Sequence, residues 1–241
     1  MQDSVRLAFI GRIRTPFRQK FGIPRQTGLV PVPGVIEMSE PWDRVEFFEG
    51  LEQVSHLWIT YLFDRNLDRG WRGRVRPPRL GGNRRLGVFA TRSPFRPNHL
   101  GLSAVKLLKI EGRGGRGVKL HVVGVDMLDG SPVLDIKPYL PYADAIMDAQ
   151  AGYASEAPQT RLNVTFAPEA ERFLQALDNG DELAGLIASL VALDPRPAYM
   201  AGQSGKREHG MRIYDWNVRW QVDAGHQAAQ ITEIVPAESD Q

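Results

Sequence analysis

Ser103–Val125 reads SAVKLLKIEGRGGRGVKLHVVGV, and the meaning of its glycines decides the fold class. Gly112, Gly114 and Gly117 match G-x-G-x-x-G, the spacing of a dinucleotide-binding turn. Such a turn must open a helix, because the bound phosphates sit at a helix N-terminus. Here Val118, Leu120 and Val122 continue with period two instead, which is the spacing of a strand. The stretch is therefore read as two strands, Ser103 to Ile110 and Val118 to Val125, joined by a flexible hairpin loop.

The neighbouring segments agree. Val5, Leu7 and Phe9 alternate as a half-buried strand would, and Val54 to Phe63 (VSHLWITYLF) has the aromatic and β-branched content of a long buried strand. Val133 to Ile136 supplies another. Thr15 to Val35 is rich in proline and glycine and reads as loop. From residue 1 to about 140 strands follow one another without a helical period, which points to a β-barrel or closed sheet. Ala143 to Gln159 is small, acidic and weakly patterned, as a linker is.

The remainder differs in kind. After a strand at Leu162 to Phe166, Pro168 stands at a helix start, with Glu169 and Glu171 favouring the N-terminus. Ala170, Phe173, Leu174 and Leu177 form one apolar stripe. Asn179-Gly180 ends that helix, Asp181 can cap a second, and Leu183, Leu186, Ile187, Leu190 and Val191 form its stripe. A closing strand alternates through Tyr214, Trp216, Val218, Trp220 and Val222. The expected organisation is a β-barrel domain over residues 1–150 and a small α+β domain over 151–241, which contributes a proline-locked loop, Asp194 to Tyr199 (DPRPAY).

A second proline-locked stretch lies at the centre, Gly87 to Leu102 (GVFATRSPFRPNHLGL). It is expected to open as a short strand, Val88 to Thr91, and to continue as a stiff loop over Arg92 to His99, because Pro94 and Pro97 lack amide donors and push the preceding residues out of the helical region. This loop closes an arginine-dense segment. Between Arg65 and Arg96 there are ten arginines and one acid, Asp68, although the whole chain carries a net charge of only +2. Arginine used without lysine suits planar contacts to phosphate, so the segment is read as a polyanion surface, for phosphate or RNA, over a merely solvated charge-rich loop.

Composition excludes several chemistries. There is no cysteine, hence no disulfide framework and no thiolate site. The five histidines show no metal-ligand spacing, and neither a P-loop nor a G-x-S-x-G elbow occurs. No apolar run has the length of a signal peptide or a membrane span, so a soluble intracellular protein is expected. What remains is a carboxylate group, Asp126, Asp129 and Asp135, around Gly130-Ser131-Pro132. An Asp-Gly turn accounts for Asp129; Asp135, inside an apolar strand, faces either solvent or a site.

Six blocks in order carry a resemblance: Ile23-Pro24-Arg25-Gln26, SHLWI (Ser55 to Ile59), VRPPRLGGN (Val75 to Asn83), GVFATRS with FRPN (Gly87 to Asn98), the run from Asp129 to Tyr142 ending DIKPYLPY, and DPRPAY. Together with DWNVRW near the end, they resemble the TrmO/TsaA-like family of bacterial tRNA (adenine-N6)-methyltransferases over nearly the whole chain. The resemblance implies a single-sheet antiparallel β-barrel, a small C-terminal domain and a cytoplasmic homodimer. It also implies methyl transfer from S-adenosylmethionine to N6 of threonylcarbamoyl-adenosine beside the tRNA anticodon. Carried over, the cofactor residues are Pro24, Arg25, Gln26, Asp64, Arg65, Arg92, Leu102, Asp126, Met127, Leu128 and Asp129. Two departures stand out: Asp64-Arg65 where the family often has His-Gln, and His99-Leu100-Gly101 where it usually continues Pro-Ile-Gly.

With that chemistry in view, Asn98, Asp135 and Tyr199 are the candidates for orienting the acceptor nitrogen. Phe95, Tyr139 and Tyr142 are candidates for stacking a splayed base. Arg72, Arg74, Arg76, Arg79, Arg84, Arg85 and Arg96 are candidates for gripping the anticodon stem-loop. Two rival readings share most of these features: an RNA-binding barrel that holds the cofactor without catalysis, and a methyltransferase for another purine or a small molecule.

Overall fold

The computed structural model describes residues 4–81, 84–159, 162–196, 207–223, 225 and 227–237. Its strands are β1 (Gly11–Arg14), β2 (Pro33–Met38), β3 (His56–Leu62), β4 (Arg74–Val75), β5 (Leu86–Gly87), β6 (Leu100–Arg113), β7 (Arg116–Val123), β8 (Pro132–Pro138), β9 (Asn163–Phe166), β10 (Glu208–Ile213), β11 (Trp216–Asp223) and β12 (Ala228–Pro236). The α-helices are α1 (Pro141–Asp144), α2 (Pro168–Gln175) and α3 (Gly180–Ala192).

Six strands close into an antiparallel barrel in the order β1-β2-β7-β6-β3-β8. Period-two patterning fills it. Ile13, Ile36, Leu57, Ile59, Val105, Leu120 and Val133 point inward and are essentially buried, while their sequence neighbours face outward. Gly101 belongs to the inward set of β6 for a steric reason. A Cβ there would lie 2.3 Å from the buried ring of Tyr61, its cross-strand partner.

The glycine-rich hairpin is tighter than the flexible loop expected from its composition. Arg113 pairs with Arg116, and Gly114 and Gly115 make the turn at φ of 56° and 79°. Two successive left-handed residues match the twist of the flanking strands, which is what glycine permits here.

Four expected elements differ. Val5, Leu7 and Phe9 form no strand and are exposed. The ladder on the β2 side ends at Gly11↔Met38, just before Pro41, so the alternating residues upstream have no continuing strand to pair with. Val88 to Thr91 is a helical turn over Val88–Ala90 rather than a strand. There the Thr91 hydroxyl donates to Val88 O at 2.8 Å, a local bond that competes with any ladder. Finally, α3 begins at Gly180, and the closing strand begins at Trp216 because Tyr214 adopts a left-handed φ of 52°.

The C-terminal unit is a four-stranded sheet, β10-β11-β12-β9, with β9 parallel to β12 and with α2 and α3 packed against it. It docks on the connection that leaves β1. Phe17, fully buried, bridges to Ile213, the Tyr214 amide donates to Pro16 O at 2.7 Å, and Phe21 stacks on Trp220 at 6.2 Å.

The packing at Gly101 yields a stability test. Gly101→Ala must displace the Tyr61 ring and is expected to cost about 1–3 kcal/mol in urea unfolding. Gly87→Ala, where a Cβ would meet nothing within 4 Å and φ is −58°, should unfold within about 0.5 kcal/mol of the parent.

Candidate functional site

Antiparallel closure puts three long connections on one rim of the barrel: 15–32 after β1, 63–99 after β3 and 124–131 after β7. These are the proline- and glycine-rich stretches, and loops fixed by a rigid scaffold are where binding residues concentrate.

Asp126 is the centre of this rim. Its Oδ1 accepts a hydrogen bond from Ser103 Oγ at 2.6 Å. Burial pushes its carboxyl above the usual aspartate range; the Ser103 hydroxyl, its own amide, the positive charge of Arg92 and the Thr27 amide oppose the rise. Burial also pushes the Tyr61 phenol up, helped by the charge of Asp126. Arg92 reaches across from the central loop and donates through Nη1 to Gln26 Oε1 at 2.6 Å. The 24–26 segment is held in place by its neighbour Thr27, whose hydroxyl bonds to Ala104 O and to Gly124 O (2.6 Å for the latter). Pro24 is buried beside it and Arg25 is exposed. Gln26, Arg92 and Asp126, far apart in sequence, thus meet on one rim.

The other expected cofactor residues are distributed around this centre. Met127 is buried, with its carbonyl accepting from Thr15 Oγ1 at 2.9 Å, and Leu128 is half-buried. Asp129 turns the other way: it accepts from the Thr15 amide at 2.9 Å and from Arg18, and lines a cleft of about 380 Å³ with Arg14, Gly34 and Tyr214 at the junction with the C-terminal unit. Leu102 is 55% exposed on the outer barrel face. Asp64 and Arg65 lie 3.7 Å apart at the end of β3. Behind them Lys20 Nζ donates to Arg65 O at 3.0 Å and to the buried Asn66 Oδ1 at 2.6 Å, tying the first connection to the second. Burial and the charge of Arg69 lower the Lys20 ammonium, with Asp64 opposing.

Among the expected acceptor-orienting residues, Asp135 faces outward. Thr60 pairs with both Leu102 and Asp135, so the three share one outer row. The Asp135 carboxylate accepts from the Ile136 amide at 3.0 Å and meets Lys137 at 3.2 Å. Asn98 is exposed on the central loop. Tyr199 lies outside the described residues. Its loop starts from a buried pair in which the Arg196 guanidinium donates to both carboxylate oxygens of Asp194, at 2.7 and 2.9 Å.

The central loop is as stiff as its prolines imply, and His99 braces it. His99 is buried at φ 50°, and its Nδ1 bonds to Pro94 O at 2.8 Å. Arg96 is absorbed by the same loop, donating to Thr91 O and Ser93 O at 3.1 and 3.3 Å. Arg72 stacks over Phe95 at 4.5 Å, and Arg79 donates to Glu156 O. Arg74, Arg76, Arg84 and Arg85 are exposed and have no ion-pair partner among the described residues.

Sequence reasoning missed Ser103, Thr27 and Tyr61. Ser103 and Tyr61 carried a signal: each is the polar member of an inward-facing, otherwise apolar or glycine series, Gly101-Ser103-Val105 and Leu57-Ile59-Tyr61. Among the described residues no three His, Asp or Glu side chains converge to hold a metal ion, and no helix is long and apolar enough to cross a membrane.

Comparison with known proteins gives a consistent set of relatives. The tRNA-methyltransferase O N-terminal domain matches residues 12–145 and the TrmO C-terminal domain matches 159–237. The chain is 45% identical over 219 residues to a tRNA (adenine(37)-N6)-methyltransferase of Escherichia coli, covering 90% of this chain and 93% of that one. It is 49% identical over 216 residues to a Pseudomonas aeruginosa protein that carries the provisional name of S-adenosylmethionine-dependent methyltransferase, covering 88% and 90%. A crystal structure of TrmO from Pseudomonas aeruginosa superposes with a TM-score of 0.77 at 38% identity, covering 98% of this chain and 100% of that one.

Asp126 sets a pH test. Its folded-state carboxyl titrates above that of the unfolded chain, so between the two values the folded state holds more protons and stability falls as pH rises. Asp126→Asn, which can still accept from Ser103, removes that loss. The stability of the variant relative to the parent is expected to grow in urea titrations run from about pH 4 to about pH 8. A constant difference would mean that folding leaves the carboxyl's proton affinity unchanged.

Proposed function

The chain belongs to the tRNA-methyltransferase O (TrmO) family, and from that membership we propose that it methylates N6 of adenosine 37 in tRNA with S-adenosylmethionine as donor. The observation that carries this reading is the meeting of Gln26, Arg92 and Asp126 on one rim. Bound there, S-adenosylmethionine supplies an activated methyl group on a positively charged sulfur. The donor set fits it. Asp126 is a carboxylate held in a costly, desolvated place, which a cationic or hydroxyl-bearing ligand relieves. Arg92, exposed beyond its bond to Gln26, offers a planar fork to a carboxylate. Pro24, Arg25, Gln26, Met127 and Leu128 shape the walls, with Asp64 and Arg65 at the edge and Leu102 as an apolar contact; Asp129 closes the loop with its carboxylate turned away to Arg18.

The finer substrate is adenosine already carrying threonylcarbamoyl at N6. A carbamoyl group makes that N–H more acidic than in a plain amine, so an acceptor within hydrogen-bond reach can take the proton during transfer. Asp135 is our candidate acceptor, with Asn98 and Tyr199 orienting the nitrogen. The chain's main contribution is positioning, since holding reactants in line at about 3–3.5 Å replaces a bimolecular encounter. We assign methyl transfer to a barrel domain at 1–150 and a supporting role to 151–241. We also read the protein as cytoplasmic and as a homodimer, the latter supported by the exposed Leu108 on the outer face of β6.

The test is to incubate labelled S-adenosylmethionine with tRNA that does or does not carry threonylcarbamoyl-adenosine and to analyse the nucleosides. Label confined to the modified tRNA is expected. Label in both would broaden the substrate, and label in neither would leave an RNA-binding barrel. Charge reversal at Arg84 and Arg85 is expected to weaken tRNA binding by about tenfold or more at low salt while cofactor affinity stays within about twofold. Equal loss of both affinities would make those arginines structural.

A further inference from the structure

The arginine segment contains two large aromatic side chains that the fold leaves in solvent: Trp71 is 60% exposed and Phe89 is 78% exposed. Both sit at the same end of the small ribbon formed by β4 and β5. In that ribbon Arg74 pairs with Gly87 and Val75 with Leu86. Val75, Pro77 and Val88 are buried, so by alternation Arg74, Arg76, Arg85 and Gly87 occupy the opposite, exposed face. Gly87 leaves a gap there, since a Cβ would meet nothing within 4 Å.

The ribbon is extended at its inner end by a bond from the Val88 amide to Gly73 O at 3.0 Å. The Trp71 ring folds back to within 3.8 Å of the position a Cβ would take on Gly73, and Phe89 follows Val88 directly. Both exposed aromatics therefore lie at the end of the ribbon closed by this cross-strand bond, next to a segment of arginines without ion-pair partners among the described residues. Phe95, one of the three stacking candidates read from the sequence, is already covered by Arg72. Phe89 is also close to the donor site. Only two residues separate it from Arg92, and three Cα–Cα steps limit the distance between their Cα atoms to ~11 Å.

We propose that Trp71 and Phe89 form a stacking platform for unpaired bases of the anticodon loop next to the adenosine being methylated, with Arg74, Arg76 and Arg85 holding the adjoining phosphates. Exposed rings of this kind gain by stacking because every base offers a π-face, and the flanking cations select a polyanion as the occupant. The inference rests on tRNA being the substrate. It adds the residues that hold the loop open and divides the arginines into RNA-facing and structural sets.

The test measures equilibrium binding of an anticodon stem-loop RNA, so it does not depend on turnover. Trp71→Ala and Phe89→Ala are each expected to weaken binding about tenfold with an unchanged salt slope. Arg74→Ala and Arg76→Ala should each lower that slope by about one. Phe89→Tyr and Trp71→Phe should restore affinity, and Phe89→Leu, which keeps bulk without a π-face, should not. Recovery by leucine, or alanine variants that bind the hairpin normally, would overturn the proposal; in the second case a shifted sedimentation coefficient would make the patch a contact with a second copy. If the parent protein binds the hairpin in this pattern but fails to methylate modified tRNA, the platform stands and the assigned reaction falls.

Discussion

Closure of the barrel between β1 and β8 is the constraint from which the rest follows. The seam is short: Gly11↔Val133 and Arg12↔Pro132, extended by the Ile10 amide to Val133 O at 2.9 Å and the Ile13 amide to Ser131 O at 3.1 Å. Gly11 is needed because a Cβ there would stand 2.6 Å from Glu37 O on β2. Once six antiparallel strands close, connections alternate strictly between two rims. The connections after β1, β3 and β7 then have no choice but to share one rim, and so residues separated by up to a hundred positions in the chain meet around Asp126.

Most of this architecture was legible in period-two patterning, and where the reading failed a local hydrogen bond or a missing partner was responsible. Val5, Leu7 and Phe9 have the alternation of a strand, but alternation describes a surface and cannot say whether a neighbour is there to pair with it. Val88 to Ala90 has strand composition, yet the Thr91 hydroxyl closes a turn on Val88. The site was legible in a different way. Arg25, Gln26, Arg92 and Asp126 came from resemblance to a family, because nothing in spacing alone connects residues 26, 92 and 126. Asp126 and Asp129 look equivalent in sequence, but three residues of loop turn their carboxylates to opposite sides, one toward Arg92 and the other toward Arg18.

The arginines show the same limit. Ten of them in a short segment gave a correct impression of positive charge, but composition cannot separate a guanidinium that builds the loop from one that faces solvent. Arg96 bonds to Thr91 O and Ser93 O, Arg72 covers Phe95, and Arg79 meets Glu156 O. Each has gained a fixed partner through the flat, many-donor geometry that distinguishes arginine from lysine. Arg74, Arg76 and Arg85 owe their exposure to the ribbon's alternation, which puts Val75 and Leu86 on the other face.

The connection that leaves β1 serves two masters. Its first part, Pro16 to Phe21, is fastened to β10 and β11 of the C-terminal unit, and its later part, Pro24 to Thr27, is fastened around Asp126. Gln26, which meets Arg92, therefore lies on the same strap that anchors the C-terminal sheet. The two halves of the chain thus share one continuous segment of a dozen residues, and any coupling between a ligand at Gln26 and one on the C-terminal sheet would have to be reciprocal.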